Sequence, residues 1–232
     1  MMSSMDTSRR KELLFGAGFV VIIVALMIIA GIASSGKSSQ VVPYVGTQTA
    51  AITADDHTKG TTTAKVSVIE YGDFQCPACG AYEPVMEKLE AAYGDKVLFV
   101  FRNFPLYQVH KNASISAQAA EAAGLQGKYW EMHDLLYQKQ AEWSETPTDS
   151  VVANYFDKYA ASLGLDIKKF NTDIQSNAVR DRIQQDVNTA TTAQVDHTPT
   201  FFINLTQIQN PNGYDAFKAV LDAALASSTN AQ

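Results

Sequence analysis

The pair Cys76 and Cys79, separated by Pro77-Ala78, limits this chain more than any other feature of its sequence. It stands where a strand-like stretch at 65–71 gives way to a helical pattern at 77–93. In the first stretch Val66 and Val68 share a face with Glu70, while Ile69 and Tyr71 take the other, which is the period of a strand. Beyond the pair, Tyr82, Val85, Met86, Leu89 and Tyr93 recur at helical spacing. Pro77 suits the first helical position, where its missing N–H is harmless. Pro84 predicts a kink, and Gly94 is expected at C′. A cysteine just ahead of a first helical turn faces unpaired N–H groups, whose partial positive charge favours a thiolate. Cys79, one turn further in on the same face, is expected to be less exposed. The spacing therefore gives the sulfurs unequal roles, with Cys76 attacking and Cys79 resolving.

The chain holds 232 residues and only these two cysteines. They can bridge to each other, to another chain or to a metal. Zinc would need two further ligands. The histidines are His57, His110, His133 and His197, and no two are three to five residues apart, so half a zinc site is missing. Haem attachment would need a histidine after the second cysteine, and Gly80 stands there. Redox exchange is the chemistry left in front, and no bound cofactor is implied.

The N-terminus reads differently. Residues 13–33 are apolar and uncharged, long enough to cross a bilayer, and Arg9, Arg10 and Lys11 precede them. That order favours a cytoplasmic stretch at 1–12 and an uncleaved anchor at 13–33. A signal peptide cut near Gly31-Ile32-Ala33 is the rival, disfavoured because signal cores are shorter. Either way the remainder is exported, into an oxidising compartment where disulfide chemistry belongs. Residues 34–54, rich in Ser, Thr, Gly and Gln, read as a flexible stalk. The folded domain is expected over 55–228. A net charge of −6 gives nucleic acid no electrostatic hold.

Further along, the apolar run 97–101 reads as a central strand. Residues 112–194 look helical throughout, with Asn112, Asp149 and Ser176 as candidate N-caps and Gly124 and Gly164 as stops. Tyr129, Trp130, Met132, Leu135 and Leu136 read as core of this helical part. Residues 200–203 return to strand. Tyr214, Phe217, Val220, Leu221 and Leu225 mark a last amphipathic helix. Asn112-Ala113-Ser114 and Asn204-Leu205-Thr206 match the glycosylation pattern, but fall at an expected helix start and hairpin.

Three segments together resemble the DsbA-like thiol:disulfide oxidoreductases: Tyr71-Gly72-Asp73-Phe74-Gln75-Cys76-Pro77-Ala78-Cys79, Phe101-Arg102-Asn103-Phe104-Pro105-Leu106, and Thr198-Pro199 leading into Thr200-Phe201-Phe202-Ile203-Asn204. The resemblance runs from about His57 to the final helix. It implies an α/β thioredoxin fold with a helical domain inserted at about 110–194, preceded here by a transmembrane helix. It also implies a cis Pro199 facing the cysteines, with the Thr198 backbone offered to an extended substrate, and a buried acid at Glu70 that handles the Cys79 proton. The catalytic set is then Cys76, Cys79, Pro199, Thr198 and Glu70.

Two positions depart from the family pattern. Pro-Ala stands between the cysteines where the most oxidising members have Pro-His. His197 stands where glycine is common, and either adds positive charge near Cys76 or lies solvated in its loop. The turn at Asn204-Leu205 also lacks the usual glycine.

The function implied is donation of disulfides to exported polypeptides with free thiols. A membrane quinone-linked partner of the DsbB or vitamin-K-epoxide-reductase (VKOR) type would reoxidise the pair. The chain would be single-pass, with its catalytic domain extracytoplasmic. The alternatives are a reductase or isomerase on the same fold, or a substrate-holding module with incidental thiols.

Overall fold

The computed structural model describes residues 44–229. The apolar run at 13–33 and the start of the expected stalk lie outside these residues. Among the described residues, no helix is long and apolar enough to cross a membrane.

One mixed sheet organises the domain. Its strands are β1 (Tyr44–Gln48), β2 (His57–Gly60), β3 (Val66–Gly72), β4 (Val97–Asn103), β5 (Thr200–Ile203) and β6 (Thr206–Ile208), in the order β1-β6-β5-β3-β4-β2. Only β3 and β4 pair in parallel; the other neighbours are antiparallel. The parallel pair requires a crossover, supplied by α1 (Pro77–Tyr93). This helix continues through Pro84. Gly94 closes it with a right-handed φ of −60°, not the left-handed one expected of a C′ glycine.

The helical insertion comprises α2 (Ala113–Gly124), α3 (Tyr129–Gln138), α4 (Gln140–Trp143), α5 (Thr148–Val151), a π-helical turn (Val152–Phe156), α6 (Asp157–Ser162), α7 (Ile167–Ile174) and α8 (Asn177–Thr192); α9 (Gly213–Thr229) ends the domain. Ser176 caps α8 as expected, accepting from the Val179 N–H. Asn112 does not cap α2 with its side chain, and Asp149 lies inside α5 instead of ahead of it.

Three apolar clusters hold these layers. Met86 and Leu89 of α1 and Phe217 and Leu221 of α9 cover one sheet face, against Val66, Val68, Phe99, Phe201 and Ile203. Ala190, Ala193 and Val195 cover the other, against Ile69, Tyr71, Val100 and Phe202. The insertion has its own core around Trp143, Phe156 and Phe170, and that core reaches Phe74, Cys76 and Cys79.

Two strands depart from expectation. Residues 44–54 are not stalk: β1 pairs with β6, and the Thr49 N–H donates to the Leu205 carbonyl. The following carbonyls, Ala50 and Ala51, accept from the buried Arg102 guanidinium, which also grips Asp56, Thr49 and Tyr71. Sheet edges need no alternating apolar pattern, so composition concealed both β1 and β2. The β5–β6 turn works without glycine. Asn204 and Leu205 take φ of 49° and 71°, the two left-handed positions of a tight hairpin turn. Asn204 Oδ1 accepts from the Ser67 N–H at 2.9 Å, which fixes this residue in a conformation asparagine tolerates.

Candidate functional site

The loop from β3 into α1 is tied down by Asp73. Its Oδ1 accepts from the Gln75 N–H at 2.8 Å; its Oδ2 accepts from the Leu106 N–H at 3.0 Å and meets His110 Nδ1 at 2.7 Å. Its carbonyl takes the Cys76 N–H. Cys76 thus enters α1 in the N-cap position with extended dihedrals. Both cysteines are reduced and buried, Cys76 to 7% exposure and Cys79 to 1%.

The 195–200 loop crosses this helix start. The Thr198–Pro199 bond is cis. Cys76 Sγ donates to the Thr198 carbonyl at 3.3 Å. The Thr198 hydroxyl is buried with no partner, a donor in reserve for a sulfur that has lost its proton. The Cys76 thiol is accordingly held down to about 5, by the Cys79 thiol first, then by Thr198 and the N–H groups of Cys79 and Ala78, against the opposing effect of burial. Cys79 is the converse: burial, with the neighbouring Cys76 and Glu70, pushes it well above the ordinary thiol range. At neutral pH the pair is one thiolate beside one thiol.

Glu70 points from β3 into the interior below the cysteines. Burial raises it well above the usual carboxylate range, and Glu83, Glu90 and Cys76 raise it further. It shares a cavity of about 10 Å³ with Glu83, Glu90, Trp130 and His133, on the scale of a single water molecule. Glu83 is pushed up to about 8, mainly by burial. Glu83, His133 and Asp134 bring ligand atoms within 4.8 Å of one another. Lys59 already supplies a cation there, with Nζ 3.0 Å from Glu90 and 3.4 Å from Asp134.

The structure therefore brings together Cys76, Cys79, Thr198 and Pro199, with Glu70 beneath them. His197 stands apart: it is exposed, its Nδ1 lies 2.7 Å from Asp196 Oδ1, and it is not among the groups that lower the Cys76 pKa. Sequence reasoning passed over a ring of side-chain amides around the loop. Gln75 Nε2 donates to the Ser144 carbonyl, and its Oε1 accepts from the Asn112 N–H. Asn112 Nδ2 reaches the carbonyls of Ser144 and Thr146. Gln140 Nε2 donates to the carbonyls of Phe74 and Cys76. Only the loop position of Gln75 beside Cys76 could have signalled any of this.

Of the chemistries open to two cysteines, unequal thiols set on a parallel β-α-β unit suit thiol-disulfide exchange, and the architecture is that of the thioredoxin fold. Comparison with known proteins agrees at the level of family and fold. The chain belongs to the thioredoxin family: the family model described as Thioredoxin matches residues 53–223. Among solved structures it is similar to oxidised BdbD from Bacillus subtilis, with a TM-score of 0.68 and 22% identity over 79% of this chain and 99% of that one. It is similar to alpha-DsbA1 from Wolbachia pipientis at the same TM-score and identity, over 77% of this chain and 95% of that one. A curated relative, the Na(+)/H(+) antiporter NhaA 3 of Salinispora tropica, is 40% identical over 173 residues, 75% of this chain and 25% of that protein. The chain thus spans about a quarter of the length of that relative.

Proposed function

We propose that this chain donates disulfides to exported polypeptides through the Cys76–Cys79 pair. A client thiolate attacks Cys76 Sγ, the Sγ–Sγ bond breaks, and Cys79 leaves with the electron pair. Cys79 in its buried place disfavours the anion, and Glu70, protonated by burial, is the acid that supplies its proton. A second client thiol, giving up its proton, then attacks the client sulfur of the mixed disulfide and expels Cys76 as a thiolate. The client loses two electrons and two protons and gains a disulfide; the pair is reduced. Thr198 and Pro199 present the backbone along which an extended client lies.

The observation that carries the direction is the low pKa of Cys76. A stable thiolate favours the reduced pair, so the oxidised pair gives its disulfide away readily. Continued turnover needs a reoxidant, for which a membrane quinone-linked protein of the DsbB or VKOR type is suited. The apolar run at 13–33 would anchor the chain with its catalytic domain on the extracytoplasmic side, and the antiporter name of the curated relatives fits association with a membrane. The test is the equilibrium constant of the pair against glutathione in the full chain. A strongly oxidising value is expected. A value close to thioredoxin's would move the chain to the reductase or isomerase class, and failure to exchange would leave a holding module.

A further inference from the structure

The insertion does more than cover the cysteines. Gln140, the first residue of α4, extends one amide across to the β3–α1 loop, and its Nε2 donates to the Phe74 carbonyl at 2.7 Å and to the Cys76 carbonyl at 2.9 Å. An amide NH2 has two hydrogens, and here each meets a carbonyl flanking Gln75. The Cys76 carbonyl already accepts the Gly80 N–H, so Gln140 joins the first turn of the active-site helix to the loop that precedes it. Its own base is rigid: Trp143, at the other end of α4, is fully buried and donates its Nε1–H to the Leu136 carbonyl at 2.9 Å.

Gly80 supports this reading independently. A Cβ at that position would lie 2.7 Å from Gln140 Oε1 and 3.1 Å from its Nε2. No positive φ calls for glycine at residue 80; the amide of Gln140 does. A methyl group at residue 80 would thus press the Gln140 amide away from its place across the turn.

We infer that Gln140 is a positioning residue for the Cys76 sulfur, holding the Cys76 turn at the distance from Thr198 and Cys79 that stabilises its thiolate. The inference rests on the exchange function proposed above. A reacting group displaced by about 1 Å can lose on the order of a hundredfold in rate, and Cys76 would be held here by a side chain from a separate subdomain.

Gln140→Met tests this in the full chain, because methionine keeps the length and removes both hydrogen bonds. Three quantities are read: the thiolate absorbance titration of Cys76, the second-order rate of reaction with oxidised glutathione after reduction, and the thermal midpoint. The expected result is a titration midpoint about one unit higher and a rate about tenfold lower. Gly80→Ala, which displaces the amide without removing it, should shift the titration in the same direction. In a Gln140→Ala background it should add nothing, since the space is then free. A lowered thermal midpoint with an unmoved Cys76 titration would make Gln140 a structural residue only and overturn the inference. Additive shifts from Gly80→Ala and Gln140→Ala would overturn it too. Should the unaltered chain fail to exchange disulfides, the proposed function falls, while the titrations still judge Gln140.

Discussion

Acid should destabilise the reduced protein more than the oxidised one, by an amount set at Cys76. The folded thiol is held down to about 5, whereas an unfolded cysteine titrates at about 8.5. A group whose pKa is depressed by folding contributes its full stabilisation above the unfolded value and loses it as pH falls through the folded one. The window is therefore bounded by about 5 and about 8.5. At about pH 7 the solvent lies about two units above the folded midpoint, worth about 2.7 kcal/mol at about 1.36 kcal/mol per unit. Residual contact of the Cys76 sulfur with water weakens this to about 1–2 kcal/mol. The disulfide form has no thiol and lacks the contribution, and carboxylates present in both forms largely cancel. Denaturant unfolding of both forms near pH 7 and near pH 4 measures the difference. The stability of the reduced protein relative to the oxidised one should fall by about 1–2 kcal/mol between those conditions. A difference that does not change would refute a stabilised thiolate, and with it the argument for an oxidising pair.

Four further outcomes are expected. Cys76→Ser should abolish transfer, and Cys79→Ser should accumulate mixed disulfides with clients on non-reducing gels; preferential alkylation of Cys79 in the reduced protein would reverse these roles. Glu70→Gln should slow single-turnover reduction of the protein by a dithiol on the order of tenfold or more at neutral pH, since the proton donor for Cys79 is lost; an unchanged rate would remove Glu70 from the chemistry. His197→Gly should leave the Cys76 titration where it is, because His197 faces Asp196; a raised midpoint would bring the imidazole into the site. A chain beginning at residue 55 should be less stable by about 2–4 kcal/mol than one beginning at residue 44, because the buried Arg102 loses Thr49 and the carbonyls of Ala50 and Ala51; equal thermal midpoints would show that segment to be dispensable.

How far the sequence is legible depends on whether the deciding interactions are local. The β3 alternation, the spacing of α1 and the position of Cys76 ahead of it are local, and they place the thiol pair at a helix start. The Thr198-Pro199 segment is legible only through resemblance, because nothing in its composition points to a sulfur far away in the chain. β1 and β2 are short strands at the sheet's edges, held by backbone pairing that composition does not encode. Asn112 shows the limit most plainly. Its residue type and place ahead of α2 suit an N-cap, yet its amide is taken by carbonyls of Ser144 and Thr146 beyond α4. Gln140 is one polar residue among many until the fold lays it against Phe74 and Cys76.

The Cys76–Thr198 contact joins residues 122 positions apart. As the chain is made, both cysteines emerge long before the loop that activates one of them. Contacts of such sequence separation form late, because the long loop between them must close first. Until then Cys76 lacks the carbonyl and hydroxyl of Thr198, and behaves more like an ordinary thiol. A half-made chain thus lacks the contact that stabilises the Cys76 thiolate. Reactivity is switched on by completion of the fold, so a truncated product carries the motif without its full potency.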